Sequence, residues 1–260
     1  MVYDYETFKK HIFDLTRIDL NAYKERQMKR RIDALIAKHK IATYEEYVAA
    51  IKKDKLLFDE FVNYLTINVS EFYRNPDQWA LLEKEIFPYL FDRFGNNLKI
   101  WSAACSTGDE PYSLVMLLSK MLPLHNIKII ATDIDKQVLE KAQSGLYHEK
   151  SLKALPEEFK KKHFNMINDK TFAISDAVKS RVEFRQHNLL KDDYPKDCDM
   201  IVCRNVLIYF TEEAKVDIYQ KFHMALKKEG ILFVGSTEQI LQPNKLGYES
   251  YRSFFYKKMK

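Results

Sequence analysis

From Leu98 onward the apolar pattern of this chain switches period repeatedly, and that alternation restricts it to one fold class. Short runs that read as buried strands are LKIWSAA, IKIIATD, VEFRQHN, DMIVCRN and ILFVGSTE. Between them lie segments of helical period, PYSLVMLLSKML, DKQVLEKAQSG and EEAKVDIYQKFHMAL. Strands alternating with helices predict an α/β domain, a parallel sheet with helices on both faces. The end, SYRSFFYKK, is expected to add one further strand. Hydrophobic residues make up 46% of the 260, enough for a buried core.

The residues before this pattern read differently. From about Tyr5 to Asn75 apolar positions recur at helical spacing, as in Phe8, Ile12 and Leu15, and again in Ile32, Leu35 and Ile36. Thr43 with Glu46 is a capping box that opens a helix. Residues 1–75 are therefore expected to be a small all-α domain and residues 76–260 the α/β domain, with a helix from roughly Pro76 to Phe94 between them. About 150–182 the alternation fails. Polar, weakly β residues around Asn168, Asp169 and Lys170 predict an insert with its own small β structure.

Composition removes several classes. No apolar run approaches the roughly 20 residues that cross a bilayer, and MVYDYETFKKH has no signal-peptide core. A cytoplasmic protein without membrane insertion is expected. Three cysteines with no C-x-x-C argue against a disulfide framework or a zinc site, so no metal is expected. The net charge of +5 allows an acidic partner without demanding nucleic acid.

The chemistry concentrates where the strands end. In KIWSAACSTGDEPYS, Lys99 to Ser113, an apolar run stops at a loop of small residues and a helix follows. The loop lacks the glycines and lysine of a phosphate-binding loop, the G-x-G-x-x-G dinucleotide fingerprint and the G-x-S-x-G elbow. Ala103, Ala104, Ser106 and Gly108 still let backbone approach a ligand. Glu110 at the helix start suits the helix dipole and can receive a cation. Asp133 ends the next strand, about 25 to 30 residues on, where an acid accepts from ribose hydroxyls. Asp135 is better placed to cap the following helix. Asn188 and Asn205 end two more strands and offer both donor and acceptor. Together these describe a site for a nucleoside without pyrophosphate, which S-adenosylmethionine satisfies.

Six motifs then carry a resemblance: YKERQMKRRI, NVSEFYRNP, WSAACSTGDEPYS, TDIDKQVLEKAQSGLY, HNLL and CRNVLIYF. The chain resembles the CheR family of chemotaxis receptor methyltransferases over nearly its whole length. The resemblance implies a Rossmann-like S-adenosylmethionine-dependent methyltransferase domain with a small inserted antiparallel β-subdomain, preceded by the small all-α domain. It implies methylation of specific glutamates in the cytoplasmic methylation region of transmembrane chemoreceptors, with S-adenosylhomocysteine as product. Asn68, Ser70, Arg74, Glu110, Asp133, Asn188, Leu189, Asn205 and Val206 match the family's cofactor residues. Ser70 stands where many members have threonine, Asp109 where many have glutamate, and Cys105 where alanine is common. Arg74 and Tyr209 are the candidate catalytic residues, Arg74 aiming the acceptor carboxylate and Tyr209 lining its channel. Lys24, Arg26, Lys29, Arg30 and Arg31, set against the single acid Glu25, are the candidate receptor-binding cluster. The short, glycine-free MINDKTFAIS resembles the class that needs no receptor C-terminal pentapeptide. A monomer is expected.

Two other readings compete. A nucleic-acid amine methyltransferase often carries an Asp/Asn/Ser-Pro-Pro-aromatic motif where this chain reads RNVLIY, and no basic aromatic surface is present. A cofactor-sensing adaptor would keep the pocket and lose the acceptor site, which intact Arg74 and Tyr209 oppose.

Overall fold

The computed structural model describes residues 4–259. The chain divides into two compact units, one running up to Asn68 and taking in Val206–Asp217, the other comprising Val69–Asn205 and Ile218–Lys260.

The first unit is helical: α1 (Tyr5–Thr16), α2 (Glu25–Lys38), α3 (Tyr44–Lys53) and α4 (Lys55–Thr66). Its helix starts are set by short polar side chains. Asp4 accepts from Thr7 N, Thr43 from Glu46 N, and Asp54 from Leu56 N and Leu57 N. Glu46 returns to the N–H of Ala42 at 3.3 Å, completing a reciprocal cap one residue earlier than the ideal box. Phe8, Ile12, Ile32, Tyr47 and Phe61 are fully buried. The segment beginning at Val206 adds a bridge, Tyr23 pairing antiparallel with Phe210, their rings 4.7 Å apart.

The second unit opens with one long helix in three parts, α5 (Pro76–Leu81), a π turn (Leu82–Ile86) and α6 (Phe87–Phe94). Pro88 explains the π turn. It has no N–H to give to the preceding turn, and the helix widens there, with Phe87 N bonding back to Leu82 O. Then follow β1 (Ile100–Ala103), α7 (Asp109–Leu118), β2 (Ile129–Asp133), α8 (Lys136–Ser144), β3 (Leu146–His148), α9 (Glu157–His163), β4 (Phe164–Asn168), β5 (Thr171–Ile174), α10 (Asp176–Lys179), β6 (Val182–Gln186) and β7 (Cys198–Cys203). After them come α11 (Glu212–Ala225), β8 (Leu226–Val234), β9 (Tyr248–Arg252) and β10 (Phe255–Lys258).

The main sheet has the order β6-β2-β1-β7-β8-β10-β9. Its first five strands are parallel, and β10 and β9 run antiparallel at one edge. Strand order reverses between β1 and β7, the topological switch point at which open α/β sheets bind ligands. SYRSFFYKK forms not the single strand expected but the hairpin β9–β10, because the Ser253–Phe254 turn, with Phe254 at φ 70°, folds the run back on itself. The insert is a separate three-stranded antiparallel sheet, β3-β5-β4, as expected. Asp135 caps α8 through Gln137 N at 2.9 Å. All three cysteines are free and buried.

Candidate functional site

Backbone strain marks the site. Ala104, Ser106 and Gly108, in the loop after β1, all have positive φ (63°, 49° and 87°). So do Tyr73 and Asn75 before α5, and Asn205 after β7. Left-handed backbone at residues with a Cβ costs of order 1–3 kcal/mol each and collects where function requires it. At Gly108 a side chain is excluded by contact as well, since a Cβ would lie 2.9 Å from that of Ala142.

Two carboxylates, Asp133 buried and Glu110 half-buried, lie at the carboxyl end of this sheet. Asp133 ends β2 and accepts from Ser106 N at 2.8 Å and from Asp135 N at 3.0 Å. It ties the β1 loop to the β2 loop. Burial, outweighing those hydrogen bonds, pushes its carboxyl up to about 6. Glu110, in the first turn of α7, accepts from Ser102 Oγ at 2.8 Å and lies 3.4 Å from Nη1 of Arg204. Burial raises its carboxyl too, against the lowering effect of Arg204 and Ser102. Its neighbour Asp109 is 1% exposed, receives the Thr107 hydroxyl at 2.6 Å, and is likewise raised by burial. The Ser70 hydroxyl acts on the same carboxyl in the lowering direction.

Arg74 is half-buried, with Nη1 donating to Val69 O at 3.3 Å, and it makes no ion pair among the described residues. Asn188 builds a turn: its Oδ1 accepts from Leu190 N at 2.9 Å, and its own N–H donates to Asp192. Leu189 beside it is buried and apolar. The β6 turn joins Asp133 through His187 N, which donates to Asp133 O at 2.9 Å. Asn205 donates its N–H to Glu238 Oε2 at 2.5 Å, and Gly235 N donates to the same oxygen at 2.9 Å. A Cβ on Gly235 would collide with that carboxylate.

The second unit thus brings Ser70, Arg74, Glu110, Asp133, Asn188, Leu189 and Asn205 to the loops around one end of its sheet. Asn68, Val206 and Tyr209 belong to the first unit. Asn68 Nδ2 donates to Asn63 Oδ1 and Thr66 Oγ1, closing the end of α4. Val206 leads into a single 3-10 turn, Leu207–Tyr209, and Tyr209 O accepts from Lys24 N at 2.9 Å. Of the five cations, Arg26 and Arg30 are exposed. Lys29 pairs with Asp33 at 2.9 Å, and Arg31 donates to Tyr64 O at 2.7 Å while lying over the Tyr64 ring. Sequence reasoning passed over Arg204 and Glu238. Arg204 directly follows the buried strand β7, the same signal that singles out Asn205, whereas Glu238 lies four residues beyond the end of β8 and carries no such mark.

The donor set fits S-adenosylmethionine. The half-buried Glu110 and the buried Asp133 suit an ammonium and a ribose diol, and the loop has no lysine for a phosphate. The Ser106 hydroxyl is buried there without a hydrogen-bond partner, a polar atom that a ligand would satisfy. Among the described residues no group of side chains could hold a metal ion, and no helix is long and apolar enough to cross a membrane.

Comparison with known proteins decides the family. Residues 68–254 match the CheR methyltransferase, SAM binding domain, and residues 3–66 match the CheR methyltransferase, all-alpha domain. The chain belongs to the CheR methyltransferase family. A chemotaxis protein methyltransferase of Listeria innocua is 43% identical over 97% of this chain and 96% of its own length. Chemotaxis protein methyltransferase 1 of Pseudomonas aeruginosa is 33% identical over 91% and 90%. The one from Borreliella burgdorferi is 31% identical over 92% and 89%. The CheR chain described here is accordingly an S-adenosylmethionine-dependent methyltransferase of chemotaxis, with the all-α, Rossmann-like and small antiparallel parts expected from its sequence.

Proposed function

We propose that this CheR protein methylates glutamate side chains in the cytoplasmic region of transmembrane chemoreceptors, giving methyl esters. The observation that carries the reading is Arg74. A half-buried guanidinium that makes no ion pair among the described residues, on a turn whose backbone is tied to Arg204 and through it to Glu110, is a place for an incoming carboxylate. The relatives' names place the reaction in chemotaxis.

Glu110 is assigned to the cofactor's ammonium, Asp133 to its ribose, and Asn188 with Leu189 to its adenine. Asn68, Ser70, Asn205 and Val206 complete the set by resemblance. When bound, the cofactor supplies a methyl group on a sulfonium. A glutamate has a pKa of about 4.3, so at neutral pH the acceptor arrives ionised and the chain needs no strong general base. What remains for the protein is to exclude water and to aim the acceptor, because opposite charges that neutralise each other do so more readily in a dry site. Arg74 aims it through a forked hydrogen bond, with Tyr209 as the second residue acting on the acceptor.

The insert supports independence from a receptor pentapeptide: only Asp169 and Lys170 separate β4 from β5. Micromolar binding of a receptor C-terminal peptide would overturn that part. The main reading is tested by methyl transfer from labelled S-adenosylmethionine to chemoreceptor membranes, followed by alkali. Volatile labelled methanol is expected. Label that resists alkali would mean a different acceptor.

A further inference from the structure

Arg204 follows β7 directly, and its side chain is 2% exposed. Taking a guanidinium out of water costs several kcal/mol unless its donors are met. Here the two terminal nitrogens are met from two sides, while Nε is buried without a partner among the described residues. Nη2 donates to Arg74 O at 2.8 Å, to Asn75 Oδ1 at 3.1 Å and to Gln78 Oε1 at 2.7 Å. Nη1 faces Glu110 Oε2 at 3.4 Å. The flat group lies over the Phe233 ring, 4.7 Å from its centre, with Trp79 at 5.7 Å.

We propose that Arg204 is the positioning residue of this site, anchoring at once the Glu110 carboxylate and the backbone from which Arg74 projects. The inference rests on the roles given above to Glu110 and Arg74.

Two physical features support it. Tyr73 and Asn75 flank Arg74 with left-handed backbone, φ 54° and 62°, a conformation that persists only when its surroundings hold it. Arg204 supplies that hold through the carbonyl of Arg74, which Trp79 Nε1 also meets at 2.9 Å, and through the side chain of Asn75. Only a planar fork spans both this turn and Glu110; a lysine ammonium is a single point. The second feature is charge. Glu110 faces Arg204 after β7, Ser102 on β1, Glu238 after β8, and the thiols of Cys105 and Cys203, with Asp109 beside it in α7. Arg204 is the leading influence that keeps Glu110 ionised against burial, Ser102 the lesser one, and Glu238 opposes both. Without Arg204, Glu110 protonates at higher pH and loses its attraction for an ammonium as the pH falls.

The test uses the full chain with Arg204→Met, Arg204→Lys and Glu110→Gln, folding checked by circular dichroism. S-adenosylmethionine affinity is measured by titration calorimetry at about pH 6.5 and about pH 7.5; the cofactor's own amine begins to titrate near the upper value but is common to every measurement and is divided out by the ratio to wild type. Asp133, present in every protein, cancels in the ratio to wild type. We expect the loss in Arg204→Met to grow severalfold toward the lower pH. We expect Arg204→Lys to bind within about threefold of wild type yet turn over at least about tenfold more slowly, because charge survives and the fork does not. A loss in Arg204→Met that is equal at both pH values would overturn the proposal, as would an Arg204→Lys enzyme with normal turnover. The lysine variant alone decides the matter if the methionine variant does not fold. Glu110→Gln with wild-type affinity would remove the cofactor role of Glu110 and the proposal with it. Weak binding by Glu110→Gln beside a pH-independent loss in Arg204→Met would sink Arg204 alone.

Discussion

Asp133 shows how one residue carries opposite demands. Its carboxyl titrates near 6 instead of the ordinary 3.8, chiefly through burial. At roughly 1.4 kcal/mol per pH unit, that rise is worth about 3 kcal/mol. The folded chain holds this proton more tightly than the unfolded chain does. Its contribution to stability is therefore present at low pH and lost as the pH rises through about 6. Cofactor binding asks for the reverse, a carboxylate that accepts. Affinity for S-adenosylhomocysteine is expected to fall as the pH drops through about 6, as read by calorimetry. Asp133→Asn should weaken binding by about tenfold or more and flatten that pH dependence. Arg74→Ala belongs to the same scale. It should lower turnover far more than cofactor affinity, and loss of affinity alone would contradict its acceptor role.

At the scale of elements, the β1–α7 junction carries the most. Its start of helix α7 has no side-chain cap; Gly108 takes the N-cap position at φ 87°. The space above it is closed by Ala142, Tyr112 and the Tyr147 hydroxyl. Gly108→Ala combines strained backbone with a clash against another helix. It should cost about 1–3 kcal/mol, read as a lowered melting temperature, and should weaken cofactor binding by moving Ser106 and Glu110. The three-part helix before β1 likewise has a local cause, since Pro88 lacks the N–H that an unbroken α-helix would use.

At the scale of the molecule, charge separates docking from architecture. Arg26 and Arg30 are exposed, whereas Arg31 is bound to the end of α4. Reversing Arg26 and Arg30 to glutamate should raise the KM for receptor membranes, an effect that shrinks with added salt, with little change in cofactor affinity. Arg31→Ala should instead destabilise the helical unit by about 1–2 kcal/mol. Unchanged receptor methylation in the reversed pair would remove the docking role.

The alternation of periods determined the α/β class, helical spacing alone the N-terminal part, and the break in alternation about 150–182 the presence of an insert, because burial writes a period of two or 3.6 into a sequence wherever one face is covered. Polar residues at the ends of apolar runs likewise exposed Glu110, Asp133 and Asn205 as site candidates. Other features needed the tertiary structure. SYRSFFYKK reads as one strand because a turn without glycine or proline leaves no local mark. Arg204 reads as an ordinary charge beside Asn205, for its partners Arg74, Gln78 and Glu110 are distant in sequence and meet it only when the sheet forms. Nor does any pattern announce that Val206–Asp217 joins the helical unit, since the bond from Lys24 to Tyr209 and the Tyr23–Phe210 bridge are long-range pairings. Periodicity records which face is covered; it does not record by what, and buried polar partners are chosen by the fold.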